Sequence, residues 1–146
     1  MTGVQTCALP IFASGGEKSR IYLGLSVLAG SGKQQPLLLF DEIDAGLGMD
    51  NAVPVARLLA KLGLQGQVLC ITHLPTVATH GQNHLMVSKS ITDGRTYLSV
   101  RSLSGEDRVQ EIARLLGGEM PGTEAAGSQV DYARQLLAAE FKQGLG

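Results

Sequence analysis

The spacing of apolar and polar residues changes from segment to segment along this chain, and each change predicts a new element of secondary structure. After Ser14, apolar side chains recur at helical intervals from Ile21 to Leu28. The continuous apolar run of residues 37–40 predicts a short buried strand. Residues 50–62 predict the next helix, because their apolar residues form a single stripe.

The second half of the chain continues this alternation. Residues 67–72 predict a second buried strand, and a short helix is expected directly after it. Two further strands are predicted at residues 85–88 and 96–100, and the Asp93-Gly94 pair predicts the turn between them.

Two amphipathic helices are predicted at the end of the chain, at residues 106–116 and 130–141. A loop that contains glycine and proline separates them, at residues 117–127. His80 and His84 are expected to be exposed loop residues. The order of strands and helices predicts an α/β fold.

Composition limits the function classes without selecting one. The 146 residues are 44% hydrophobic and 17% charged, which is typical of a globular domain with a sizeable core. The net charge of -1 gives no basic excess, so any DNA contact is expected elsewhere in the complete protein. Cys7 and Cys70 do not predict a disulfide framework, and a reduced cytoplasmic setting is expected. No apolar run approaches the roughly 18–20 residues of a membrane span.

Residues 1–12 are predicted not to belong to the fold. Their sequence resembles the translated read-through of a sequencing adaptor, and a genuine short strand leading into the next motif is the alternative interpretation. They contain no basic segment, so they do not resemble a signal peptide. We therefore assign the functional unit to residues 13–146 and expect the natural protein to extend well upstream.

The first segment that indicates chemistry is residues 14–17, Ser-Gly-Gly-Glu, at the start of a predicted helix. Ser14 and Glu17 have the spacing of a capping box. A helix N-terminus offers free N–H groups and a partial positive charge to an anion, and the two glycines allow close backbone approach. The segment therefore indicates a phosphate contact, and the alternative is that Ser14 is only a helix cap.

Acidic residues and a histidine follow the two predicted buried strands. Asp41 is well placed to hold Mg²⁺, and Glu42 to polarise an attacking water as a general base. His73 is a candidate for bonding a γ-phosphate. The alternatives are that the acids only cap the next turn and that His73 is structural. His73 and Cys70 do not predict a metal site, because too few further ligands have suitable spacing.

Residues 30–33, Gly-Ser-Gly-Lys, resemble the end of a phosphate-binding P-loop but do not complete one. The motif requires glycine where this chain has Val27, and serine or threonine where it has Gln34. The segment also ends a predicted helix and precedes a strand, which is the reverse of the required order. We interpret it as a surface loop.

Taken together, these segments resemble the C-terminal half of an ATP-binding-cassette ATPase head, of the P-loop NTPase superfamily. Residues 14–17 look like the signature motif, 37–42 like Walker B, 42–46 like the D-loop and 72–73 like the switch histidine. The RecN family of bacterial DNA-repair proteins is matched at residues 40–48, 68–75 and 108–118. The fold that this resemblance implies is an α/β head with a mostly parallel sheet flanked by helices.

The resemblance implies an SMC-like ATPase that acts in double-strand break repair and recombination, in the cytoplasm and associated with the nucleoid. ATP and Mg²⁺ are the implied cofactors, with Asp41 as the metal ligand and Glu42 and His73 as catalytic residues. The residues implied to bind nucleotide are Ser14, Gly15, Gly16, Glu17 and Asp44. Of these, the signature residues are expected to act on the nucleotide of a second head, with Asp44 near the seam.

The family's Walker A lysine and coiled coil have no counterpart in this sequence. The implied partners are therefore the N-terminal half of the same head, a second head in an ATP-dependent homodimer, and DNA through the full-length protein, with no membrane contact. The isolated chain is expected to be inactive as an ATPase. Lys18 departs from the family pattern, which usually has an apolar residue there, and this places a detail of the signature helix in doubt.

Two other functions remain open at the level of sequence. A transporter ATPase usually has proline after the catalytic glutamate and glutamine at the end of the signature, where this chain has Ile43 and Glu17. The chain is alternatively a non-catalytic module that only pairs with another head. An ATPase assay with and without the missing half distinguishes these functions.

Overall fold

Five helices and four strands are formed by the residues that the computed structural model describes, which are 14–28, 37–117 and 124–143. In chain order they are α1 (Gly15–Leu28), β1 (Leu38–Phe40), α2 (Met49–Gly63), β2 (Val68–Cys70), α3 (Pro75–Thr79), β3 (His84–Thr92), β4 (Arg95–Leu103), α4 (Gly105–Leu115) and α5 (Glu124–Gln143). The predictions made for residues 1–12 and for the Gly-Ser-Gly-Lys loop at 30–33 lie outside the described residues.

Helix α1 begins with the capping box that its sequence predicts. The backbone N–H of Glu17 donates to Oγ of Ser14 over 3.3 Å, and the backbone N–H of Ser14 donates to Oε2 of Glu17 over 2.8 Å. These reciprocal bonds satisfy two donors that a helix start otherwise leaves without partners. The predicted start of the helix is confirmed.

Strands β1 and β2 pair in parallel, with Leu38 opposite Val68 and Phe40 opposite Cys70. Helix α2 forms the crossover between them. The α/β class is confirmed, but the strands predicted to be buried are, within the described residues, buried on one face only. Leu39 is 55% exposed and Ile71 is 54% exposed, because α1 and α2 cover only one face of the pair.

The main hydrophobic core lies between this parallel pair and its helices. Phe40 is almost fully buried, with its ring centroid 5.7 Å from that of Tyr22 on α1. The buried members of the core are Leu23, Leu38, Phe40, Ile43, Ala52, Ala56, Leu59, Leu62 and Val77. The loop that follows β1 is therefore anchored by the same core that holds α1 and α2, because Ile43 belongs to it.

Strands β3 and β4 form an antiparallel hairpin, and it is longer than the sequence pattern predicts. Asp93 and Gly94 occupy the turn with φ angles of 53° and 71°, as a two-residue type I′ turn requires. The predicted turn is confirmed. The strands extend beyond the apolar alternation because, once the turn sets the register, ladder hydrogen bonds continue through polar positions.

Helices α4 and α5 pack on each other through a second, smaller cluster formed by Val109, Ile112, Ala113 and Ala133. Helix α5 begins at Glu124, six residues earlier than the sequence predicts. The guanidinium of Arg108 on α4 donates to the carbonyl oxygens of Ala78, Thr79 and Gly81, at 3.3, 3.1 and 2.6 Å. It thereby joins this cluster to the end of α3.

Two histidines that were expected in exposed loops are instead part of the fold. Nδ1 of His80, at the C-terminal end of α3, lies 2.8 Å from the carbonyl oxygen of Thr76. His84 is the first residue of β3 and is half-buried, and burial together with the positive charge of Arg108 lowers the pKa of its ring. Among the described residues, no helix is both long and apolar enough to cross a membrane.

Candidate functional site

The candidate site residues meet where the two parallel strands end. Asp41 and Glu42 follow β1 directly, and Thr72 and His73 follow β2. Parallel strands end at the same edge of a sheet, which is where ligands bind in open α/β sheets. The start of α1 lies at this edge as well, because a β-carbon built on Gly15 would lie 3.9 Å from Oε2 of Glu42. The structure therefore brings together the three segments that the sequence singles out.

The approach of α1 to the loop after β1 depends on a glycine. Gly16 is buried, and a β-carbon at this position would lie 2.9 Å from the carbonyl oxygens of both Glu42 and Ala45. A contact this short with backbone atoms forces the helix and the loop apart. Glycine at residue 16 is thus required for the helix start to lie beside the acidic loop.

Ser14 lies at the start of α1, as predicted, and it caps this helix. Its hydroxyl oxygen accepts from Glu17, and the hydroxyl proton stays available to a ligand, because a serine hydroxyl both accepts and donates. Ser14, Gly15 and Glu17 are exposed. The cap and the predicted phosphate contact are therefore compatible.

Asp41 and Glu42 are both exposed, and Glu42 has an unusual backbone. Its φ angle of 51° lies in the left-handed region, which costs a residue with a β-carbon on the order of 1–3 kcal/mol. The carbonyl oxygen of Glu42 accepts from the N–H of Ala45 over 3.0 Å, closing a turn. This turn bends the chain sharply at Glu42, the residue predicted to act as the general base.

Asp44 is almost fully buried, with only 1% of its surface exposed. Its Oδ2 accepts hydrogen bonds from the hydroxyl of Thr72, from the N–H of His73 at 3.0 Å and from the N–H of Leu74 at 3.2 Å. The carboxylate therefore faces its own chain, whereas the resemblance of this segment to the D-loop implies nucleotide binding by Asp44 near a seam between heads.

The pKa of Asp44 follows from these contacts. Burial alone would raise the pKa of this carboxyl, but the hydrogen bonds from Thr72 and from the backbone N–H of His73 outweigh burial and lower it below the ordinary value. Asp44 is thus held as a carboxylate, the form that can accept all three bonds.

His73 combines a fixed backbone with an exposed ring. Its side chain is 75% exposed, and its Nδ1 lies 3.4 Å from Oδ2 of Asp44. The contact is an ion pair when the imidazole is protonated. The ring is therefore oriented from inside the protein by Asp44 and accessible from outside to a ligand.

Three further residues, to none of which the sequence assigns a role of its own, are part of this arrangement. Arg20 donates from Nη1 to the carbonyl oxygens of Ile43 and Ala45, at 3.1 and 3.0 Å, and Ser19 donates from Oγ to that of Asp41 over 3.1 Å. Thr72 is the third. One signal for Arg20 exists in the sequence, since it lies four residues after Gly16 and thus on the same face of the helix.

Cys70, which ends β2, has no features of a reactive thiol. Burial, with smaller contributions from Asp44 and Asp41, raises the pKa of its thiol to about 12, so the thiol is protonated at neutral pH. Within residues 14–28, 37–117 and 124–143, no three His, Cys, Asp or Glu side chains form a group that could hold a metal ion.

Comparison with known proteins identifies the family. No family model matches the chain. It is 44% identical over 136 residues to the DNA repair protein RecN of Deinococcus radiodurans, and 42% identical over 127 residues to RecN of Vibrio cholerae. These alignments cover 93% and 87% of this chain. The chain belongs to the RecN family.

The fold is similar to that of an SMC ATPase. A solved structure, from work on ATP-driven dimerization and DNA-stimulated activation of SMC ATPases, matches 75% of this chain and 65% of its own, with 28% identity and a TM-score of 0.51. The likeness confirms the α/β fold, which resembles part of an SMC ATPase. The chain spans 23% of the length of the Deinococcus RecN and 22% of that from Vibrio.

Proposed function

We propose that this chain is the C-terminal part of the ATPase head of a RecN-type protein, which acts in double-strand break repair and recombination in the cytoplasm. One observation supports this proposal above the others. The segments that resemble the signature motif, Walker B and the switch histidine converge on one sheet edge, at Ser14, Glu42 and His73. An isolated helix cap or a pair of acids that only close a turn would not require this convergence.

Each residue has a distinct role in the proposed reaction. Mg²⁺ bound with ATP takes only one or two carboxylates, because phosphate oxygens and water complete its six ligands, and the exposed Asp41 fits that requirement. The ion would neutralise charge on the phosphates. Glu42 accepts the proton of the attacking water, His73 donates to the γ-phosphate, and Ser14 to Gly16 donate to the phosphates held by a second head.

The exposed apolar surface supports a second part of the proposal, that the N-terminal half of the same head covers this chain. Parallel sheets are normally covered on both faces, yet here one face of the β1–β2 pair is open. Aliphatic side chains exposed on these strands, directly beside them or on α1 are Leu37, Leu39, Leu69, Ile71, Ile21, Leu25 and Leu28. The relatives' greater length supplies a segment to cover them. A second head and DNA are the further proposed partners of the full-length protein.

The first experiment measures ATP turnover by the purified chain, alone and with the N-terminal half of the head added. We expect no Mg²⁺-dependent turnover by the chain alone and activity with both halves. Glu42→Gln should lower the activity of the reconstituted head by about 10²–10⁴-fold while ATP still binds, since the base is lost and the phosphate contacts remain. Turnover by the chain alone that Glu42→Gln abolishes would contradict the proposal.

The contribution of Ser14 to a second head is tested by mixing. Two inactive full-length proteins are combined, one with Ser14→Arg and one without its Walker A lysine. In a mixed dimer one composite site carries both lesions and the other carries none, so part of the activity should return. If mixed dimers form and no activity returns, the signature residues do not act in trans.

A non-catalytic pairing module is the second candidate function, and the open apolar surface favours it for the chain taken alone. It predicts that the chain binds an N-terminal half and that neither Glu42→Gln nor Asp41→Asn changes any ATPase rate of the assembled head. The reconstitution experiment therefore decides between the two functions.

A further inference from the structure

A continuous set of hydrogen bonds links all three segments of the candidate site. It begins on α1, where Nη1 of Arg20 contacts the carbonyl oxygens of Ile43 and Ala45, on either side of Asp44. The side chain of Ser19 contacts the same loop at the carbonyl oxygen of Asp41. Helix α1 is thus bonded to the loop that contains Glu42 at the carbonyl oxygens of Asp41, Ile43 and Ala45.

The same loop is bonded to the segment after β2. Asp44 accepts from Thr72, His73 and Leu74, and the N–H of Leu74 also donates to Oγ1 of Thr72 over 3.0 Å. The acceptor is an ionised, buried carboxylate, and hydrogen bonds to charged acceptors are about twice as strong as neutral ones. The backbone of His73 is therefore held by Asp44, and its ring lies against the same oxygen.

Glu42 lies between these two sets of bonds. Its left-handed backbone persists only where its surroundings hold it. Arg20 binds the carbonyl oxygens of the first and third residues after Glu42, and Asp44 is the residue between them. Removal of either side chain would free the turn that sets the direction of Glu42.

We propose that Arg20 and Asp44 are positioning residues of the ATPase site: Arg20 fixes the Glu42 turn to the signature helix, and Asp44 fixes the same turn to His73. Neither side chain touches nucleotide in this proposal; both act through Glu42 and His73. The inference rests on the proposed function. A misplacement of about 1 Å in a catalytic group can cost about 10²-fold in rate, so the bonds of these two residues set the rate without supplying chemistry.

The test uses the full-length protein that carries this segment, with ATP as the probe. Arg20→Leu and Asp44→Asn should each lower kcat by about 10- to 100-fold with little change in KM for ATP, because the phosphate contacts are retained. Arg57→Leu, at an exposed arginine of α2, is the matched control and should leave both constants unchanged. Arg20→Lys should recover part of kcat, since an ammonium group still donates to the two carbonyl oxygens.

The double variant Arg20→Leu/Asp44→Asn provides the sharper readout. Because both residues hold one turn, the fold-decrease in kcat of the double variant should be clearly smaller than the product of the fold-decreases of the two single variants. A purely structural role would not lower kcat while KM stays constant, and it would not make the effects of the two substitutions less than multiplicative. Losses that multiply, or an unchanged kcat in Arg20→Leu, overturn the inference.

Two further results separate the inference from the proposed function and from misfolding. If Glu42→Gln does not slow the wild-type reaction, the proposed function fails; if it does while Arg20→Leu is fully active, only the positioning role fails. In amide hydrogen exchange, both variants should lose protection at His73 and Leu74 and keep it in α4. If Arg20→Leu does not fold, Arg20→Lys takes its place. A lowered kcat with an unchanged KM then supports the inference, and an unchanged kcat overturns it.

Discussion

The two strand pairs of this protein are stabilised in opposite ways. The parallel pair β1–β2 has three residues in each strand and depends on α1 and α2, which bury Leu38 and Phe40. The hairpin β3–β4 has nine residues in each strand, and most of them are exposed on both faces. Its register comes from a local turn and from cross-strand contacts such as that between Ser88 and Ser99, whose hydroxyl oxygens are 2.7 Å apart.

The comparison shows why the candidate site lies on the shorter pair. A site that combines residues from distant parts of the chain needs strands that a common core fixes in place. The parallel pair meets this need, because the residues after each strand inherit the positions of Phe40 and Ile43 in the core. The hairpin has no such anchor along most of its length, and none of the candidate site residues lies on it.

The largest expected difference between the two regions concerns side-chain truncation. Phe40→Ala removes a side chain that is 1% exposed and should lower the free energy of unfolding by about 3–5 kcal/mol. Val100→Ala, at a β4 residue that is 64% exposed, should lower it by less than about 1 kcal/mol. Urea titration followed by circular dichroism measures both values. Equal losses would show that the hairpin is buried in solution.

A smaller effect separates tertiary from local constraints at two glycines. Gly16→Ala inserts a methyl group against two backbone carbonyl oxygens and should cost about 1–3 kcal/mol. Gly94→Ala meets no atom within 4 Å but forces a β-carbon into positive φ, at a cost of about 1–2 kcal/mol.

Asparagine at the same two positions tells these causes apart. Gly94→Asn should restore much of the stability, because asparagine tolerates left-handed backbone, whereas Gly16→Asn should be no better than alanine. Gly24→Ala, on α1 with open space around it, is the control and should be neutral or slightly stabilising. Recovery by asparagine at Gly16 would contradict the close approach of α1 to the loop.

The smallest expected effect is the part of the pH dependence that Asp44 contributes in the parallel region. The pKa of Asp44 is lowered in the folded protein, so its contribution to stability is present above the unfolded-state pKa and is lost as the pH falls through the folded one. As the pH rises through the acidic range at and below the ordinary pKa of an aspartate, the free energy of unfolding should therefore increase more steeply in the wild type than in Asp44→Asn. If the free energy of unfolding depends on pH with the same slope in both proteins, the hydrogen bonds of Asp44 are absent in solution.

Features that depend on neighbouring residues were predictable from the sequence. The capping box at Ser14 and the turn at Asp93-Gly94 need only a few adjacent residues, and both form as expected. The RecN family was likewise recognisable from motif order, and the relatives confirm it. The sequence patterns located every helix and strand that the structure describes, although the ends of the hairpin strands and of α5 were misplaced.

Tertiary structure alone decided which way the side chains at the site point. By sequence, Asp44 is one more acid after a strand, and its burial against Thr72, His73 and Leu74 follows from the pairing of β2 beside β1. Arg20 likewise becomes a link only when α1 packs on the loop after β1. Such contacts join residues more than 20 positions apart, so no local pattern encodes them, and they exist only once the core around Phe40 has brought the segments together.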